Sequence, residues 1–148
     1  MNDINEAVKR LGQTLEDFFN QNLEEINWDE KQAIDKWSKK QIIGHLIDSA
    51  QVNLQRFVRC TYEANFKLIY QQEQWVKVQR YQETDIEDLL ILWKLLNKQI
   101  IRLFEDYPQD RFDVQCDTGR DEPSLHTVSW LALDYVDHLH HHLKQIRA

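Results

Sequence analysis

Glycine and proline are scarce in this chain, with three glycines and two prolines in 148 residues. Without those punctuators long helices are favoured over a strand-and-turn architecture. Cysteine is scarce as well. Cys60 and Cys116 match neither a zinc nor a redox spacing and read as free thiols of a reducing cytoplasm, with Cys60 a small buried hydrophobe. No apolar run approaches membrane-spanning length, and the N-terminus lacks the basic and apolar regions of a signal peptide. A cytoplasmic protein without a membrane partner is therefore expected. Basic charge is in deficit, 18 Lys and Arg against 25 Asp and Glu, for a formal net charge of −7. That disfavours a nucleic-acid partner, whose binding rests on neutralising phosphates with Lys and Arg.

What the chain does have is a balance of 42% hydrophobic and 29% charged residues, the composition of a globular protein. No repeat, low-complexity segment or linker divides it, so a single domain over residues 1–148 is expected. Apolar residues at helical spacing mark four helices. The first runs from about Asp3 to Leu23 on Ile4, Ala7, Leu11, Leu15 and Phe18. The second starts at Ser38, which forms a capping box with Gln41, and carries Ile42, Ile43, Leu46, Ile47, Leu54 and Phe57 to about Glu63. The third starts near Thr84 or Asp85, has its stripe on Leu89, Trp93, Leu96, Ile100, Leu103 and Phe104, and stops at Pro108. The fourth is capped by Ser124 or Thr127 and buries Val128, Leu131, Tyr135, Leu139, Leu143 and Ile146. Between the second and third helices, Ala64 to Glu83 has no clean period. Gln109 to Pro123 reads as loop, with turn signals at Asp117 to Gly119 and at Pro123. Four amphipathic helices with no credible sheet imply an all-α four-helix bundle.

The last helix carries four histidines in five positions. His138 and His142 lie four apart at the edge of its apolar face, with Cβ atoms roughly 5–6 Å apart, close enough for both imidazoles to reach one divalent ion. His140 points the opposite way and is expected in solvent. His45 lies at the margin of the buried face of helix two. At 1.5 Å per residue it sits about 10 Å from the start of that helix, and the pair sits roughly 6–15 Å from the end of helix four. The three are level only if helices two and four run antiparallel. A simple up-down-up-down bundle makes them parallel. Making helices two and three parallel restores the level, and Ala64 to Glu83 is long enough for the crossover this needs, although another long connection could serve.

Trp37, Ser38, Ile43, Gly44, His45, Leu46, Asp48, Ser49 and Asn53, with Asp137, His138, His141, His142 and Ile146, resemble the DinB/YfiT-like family of bacterial metal-binding four-helix bundles. Trp75, Gln79 and Tyr81 resemble that family's segment after the second helix. The resemblance implies an up-down-down-up bundle with a long crossover between helices two and three, and often a homodimer. It also implies a divalent cation, zinc or nickel first, on His45, His138 and His142. Some similar proteins are S-transferases using bacillithiol, mycothiol or glutathione. Others are classed as metal-dependent hydrolases without an assigned substrate.

Three histidines leave coordination positions open for water or substrate, the arrangement of catalytic zinc. The HExxH motif is absent, since position 139 is Leu. Candidate catalytic residues are Asp48 and Asp134, each within one turn of a ligand candidate, and Arg56, which could meet an anionic substrate or a thiol cofactor. A solvated helix carboxylate and a surface ion pair are the plainer readings of these residues. His141 is expected beside the site or in solvent, and His126 has no assignment. The resulting expectation is a metal-dependent enzyme acting on a small molecule, either a thiol-dependent S-transferase or a hydrolase. The alternative is a non-catalytic, metal-stabilised helical binding protein.

Overall fold

The computed structural model describes residues 2–147. Five helices carry the fold: α1 (Asp3–Phe19), α2 (Lys39–Arg59), α3 (Gln72–Gln79), α4 (Ile86–Glu105) and α5 (Val128–Arg147). Helices α1, α2, α4 and α5 form the bundle, while α3 belongs to the crossover. The predicted caps are present. Ser38 and Gln41 form the capping box, Asp85 caps α4, and Thr127 rather than Ser124 caps α5 by accepting from the Trp130 amide at 3.1 Å. The first two helices end earlier than their periodicity suggests, at Phe19 and Arg59.

Cross-helix contacts give the directions. Phe18, in the last turn of α1, meets Trp93 in the first half of α4 with ring centroids 5.1 Å apart, so α1 and α4 are antiparallel. Phe57 and Phe104, both near C-terminal ends, lie 4.6 Å apart, so α2 and α4 are parallel. Arg10 pairs with Asp137 at 2.6 Å and Thr14 bonds His140, so contacts advance together along α1 and α5. His45, early in α2, faces His138, late in α5, which makes that pair antiparallel. The order is up-down-down-up. Helices α4 and α5 each pack on both α1 and α2, which leaves the sequence neighbours α1 and α2 on a diagonal with little mutual contact.

The core runs the bundle's length through Ile4, Leu11, Phe18, Ile43, Ile47, Phe57, Trp93, Ile100, Leu139 and Ile146. Burying each such side chain contributes about 1.5–3 kcal/mol. Two buried tyrosine hydroxyls are tied in. The Tyr135 hydroxyl donates to Asn97 at 2.6 Å, and the Tyr107 hydroxyl donates to the Phe57 carbonyl at 2.6 Å.

A small sheet corrects the reading of Gln109–Pro123 as loop. Strand β1 (Phe66–Lys67) pairs in parallel with β2 (Gln115–Asp117), which pairs antiparallel with β3 (Leu125–Thr127). The turn signal at Asp117 holds, because its Oδ1 accepts from the Gly119 and Ser124 amides at 2.9 and 3.0 Å. A side chain at position 119 would strike the Glu122 carbonyl, so only glycine fits there. The sheet ties the crossover to the loop before α5.

Candidate metal centre

The capping box sets where α2 starts, and the Thr127 cap sets where α5 starts. Those two starts bring His45 level with His138 and His142. His45 is completely buried, and the other two are half-buried. The Nε2 of His138 lies 3.3 Å from the Nε2 of His45 and 3.2 Å from that of His142. One ligand atom from each ring falls within 4.8 Å of the others. A tetrahedral zinc with Zn–N bonds of about 2.0–2.1 Å has N···N edges of about 3.3–3.4 Å. The two closest spacings in the cluster match that edge.

The far nitrogens of His45 and His142 are engaged. Tyr70 donates its hydroxyl to the His45 carbonyl at 3.4 Å, and its oxygen lies 2.9 Å from His45 Nδ1, so it can accept from that N–H. His142 Nδ1 donates to Gln145 Oε1 at 2.8 Å. Both contacts fit the tautomer in which Nε2 carries the lone pair. Trp37 packs on His45 with ring centroids 4.8 Å apart. Burial, reinforced by the neighbouring His142 and His138, holds His45 down to about 3. Burial and the charges of His142 and His141 hold His138 down to about 4, and burial lowers His142 as well. The cluster therefore presents neutral imidazoles at pH 7, the form that ligates metal.

Asp48 lies one turn beyond His45 and is completely buried. Its Oδ1 accepts from Gln79 Nε2 at 2.7 Å and from the Tyr81 hydroxyl, while Oδ2 has no partner among the described residues. Burial raises its pKa against the two hydrogen bonds. Two backbone features make this arrangement possible. Arg80 adopts the left-handed conformation (φ 54°) and turns the chain from α3 into Tyr81. Gly44 leaves α2 bare where the Tyr81 ring lies, and a Cβ there would come within 2.1 Å of that ring. The plainer reading of Asp48 as a solvated helix carboxylate does not hold.

Arg56 is not part of a surface ion pair. It is only 8% exposed, and among the described residues it pairs with no carboxylate. It donates to the Leu68 carbonyl at 2.7 Å and to Asn53 Oδ1 at 3.4 Å. Asp134 is exposed and forms no hydrogen bond or ion pair among the described residues. Partial burial of its carboxyl group and the charge of Asp137 raise its pKa.

His140 departs from expectation, because it lies against α1, bonded to the Thr14 hydroxyl, rather than in solvent. His141 is exposed, with its ring 5.2 Å from that of His142. His126 stacks on Trp130 at 3.7 Å. Sequence reasoning missed Tyr70 and Gln145. Tyr70 sits in the segment without a period and left no signal, whereas Gln145 follows His142 by three residues and was findable by helical spacing.

Two cavities flank the cluster. One of about 230 Å³ is lined by Trp37, Glu73, Gln145 and His142, among others. The other, of about 190 Å³, is lined by Arg56, Tyr70, Asp134 and His138, among others. Gln72, at the start of α3, borders both.

Residues 6–146 match the family model of the DinB superfamily. No curated protein matches the chain. Among solved structures it is similar to YfiT from Bacillus subtilis, described as a probable metal-dependent hydrolase with an unusual four-helix bundle topology. That match has a TM-score of 0.75 at 21% identity and covers 98% of this chain and 80% of that one. At such identity the likeness concerns the fold. No helix among the described residues is long and apolar enough to cross a membrane.

Proposed function

This chain belongs to the DinB superfamily, and from that premise we propose that His45, His138 and His142 bind one divalent cation, zinc or nickel, at the centre of an enzyme acting on a small molecule. The observation that carries the reading is the convergence of the three imidazoles, with Nε2 spacings of 3.2 and 3.3 Å across His138. Tyr70 and Gln145 orient the two outer rings. Asp48, behind His45, fixes the crossover through Gln79 and Tyr81.

A bound ion would lower the pKa of a coordinated water or hold a coordinated thiolate as nucleophile. The paired cavities favour transfer over hydrolysis. Hydrolysis needs one organic substrate and water, whereas thiol transfer needs two organic partners meeting at one centre, and Gln72 stands where the two cavities adjoin.

The test is a zinc and nickel titration of metal-free protein, followed by an electrophile assay against a panel of low-molecular-weight thiols. Turnover that needs both metal and thiol supports transfer. Turnover with metal and water alone replaces it with hydrolysis. Metal binding without turnover of any electrophile leaves a non-catalytic binding protein, and absence of metal binding sinks the reading altogether.

A further inference from the structure

The cavity beside His138 holds charges of both signs that do not meet. Arg56 lies at its base, nearly buried, with Nε unpartnered and only neutral carbonyl oxygens on its other nitrogens. A guanidinium withdrawn from water without a carboxylate is costly, and an arriving anion would relieve that cost. Asp134 lies at the mouth, on the facing helix, with its carboxylate likewise unpaired. The two line one space yet form no ion pair across it. A simple anion would bind Arg56 but face the field of Asp134. A simple cation would have the reverse difficulty. A molecule carrying both charges satisfies both groups.

We infer that this cavity is a subsite for a small zwitterion, with the carboxylate on Arg56 and the ammonium at Asp134. The size agrees. About 190 Å³ holds on the order of six waters at about 30 Å³ each, enough for an amino-acid-sized group. Trp130, 46% exposed at the rim, supplies an aromatic wall for the aliphatic part or for the ammonium. His138 borders the same space, so the rest of the ligand extends toward the three histidines. Only that last point rests on the metal reading. Charge recognition by Arg56 and Asp134 does not.

The experiment compares three matched probes on full-length protein by calorimetry and ligand-observed NMR. Norvaline carries both charges, valerate keeps only the carboxylate, and butylamine keeps only the ammonium. Titrations use metal-free protein first, because an amino acid can also chelate a bound ion, and zinc-loaded protein second. Norvaline is expected to bind at least tenfold more tightly than either single-charge probe in the metal-free protein. Asp134→Asn should lower norvaline affinity about tenfold while leaving valerate unchanged or tighter. Arg56→Met should weaken both norvaline and valerate. Arg56 also braces Leu68, so if that variant fails to fold, Asp134→Asn, a change at an exposed rim, decides alone. Equal affinity for valerate and norvaline, indifference of norvaline to Asp134→Asn, or no saturable binding of any probe overturns the inference. Failure of metal to bind at the histidines would appear in the separate zinc titration and leave this result standing.

Discussion

The α1–α4 seam and the α2–α5 seam belong to one bundle but are built from different materials. At the first, Phe18 and Phe19 close around Trp93 edge to face and tilted, and Leu11, Leu15 and Leu89 complete an apolar contact. At the second, His45, His138 and His142 stand where aliphatic side chains would pack, with Asp48, Ser49 and Arg56 buried nearby. One seam is built for stability, and the other gathers the polar groups on which the proposed function rests. Because α4 also packs on α2 and α5 also packs on α1, the apolar seam can hold the polar one in place without sharing its residues.

Damage to the apolar seam should be largest. Phe18→Ala is expected to cost about 3–5 kcal/mol, as for truncation of a buried aromatic, and to lower the urea midpoint accordingly. Acidification should strike the other seam. The folded-state pKa values of His45 and His138 lie near 3 and 4, below the ordinary 6.5, so under pH 6.5 the unfolded chain takes up protons that the folded chain refuses. Metal-free stability is then complete above that pH and falls toward pH 4, by at most about 2.7 kcal/mol per unit for two protons. Replacing both histidines with leucine should flatten the fall, and an unchanged pH profile would contradict the assigned burial.

His142→Ala follows, with at least a hundredfold loss of zinc affinity in a competition titration and unchanged helical circular dichroism. Loss of the helical signal would mean that the polar seam is structural after all. Gln145→Leu should cost roughly 10–100-fold in metal affinity, since it orients a ligand without touching the ion. His140→Ala is the smallest effect. About 1 kcal/mol of stability from the Thr14 hydrogen bond should go, with metal affinity intact. If His140→Ala were as damaging to metal binding as His142→Ala, the assigned ligand set would be wrong.

The sequence made the four bundle helices legible through their apolar periods, and the level of His45 against His138 and His142 pointed to the antiparallel pairing of α2 and α5. Three features escaped for physical reasons. Strand β1 is two residues long and pairs with Cys116 and Asp117 far along the chain, so no local alternation announces it. Tyr70 lies in a connection shaped by tertiary packing, where no period exists to read. His140 was misread because a helix wheel with one apolar face assigns the opposite face to water. In this bundle α5 touches both α1 and α2, and its buried arc is wider than one stripe.

The diagonal placement of α1 and α2 governs how the chain can reach its fold. Helix α1 has little to pack on until α4 and α5 exist, and its ties to α5 join residues 127 and 126 positions apart, Arg10 to Asp137 and Thr14 to His140. Non-local contacts of this kind must overcome loop closure before they stabilise anything, so the chain should fold more slowly than a bundle of sequential hairpins. During synthesis at about 5–20 residues per second, α1 waits on the order of ten seconds for its last partner to emerge. Until α4 emerges the apolar stripe of Ile4, Leu11 and Phe18 is uncovered, and until α5 follows it is only partly covered, so nascent chains should be more open to chaperone capture than the finished protein.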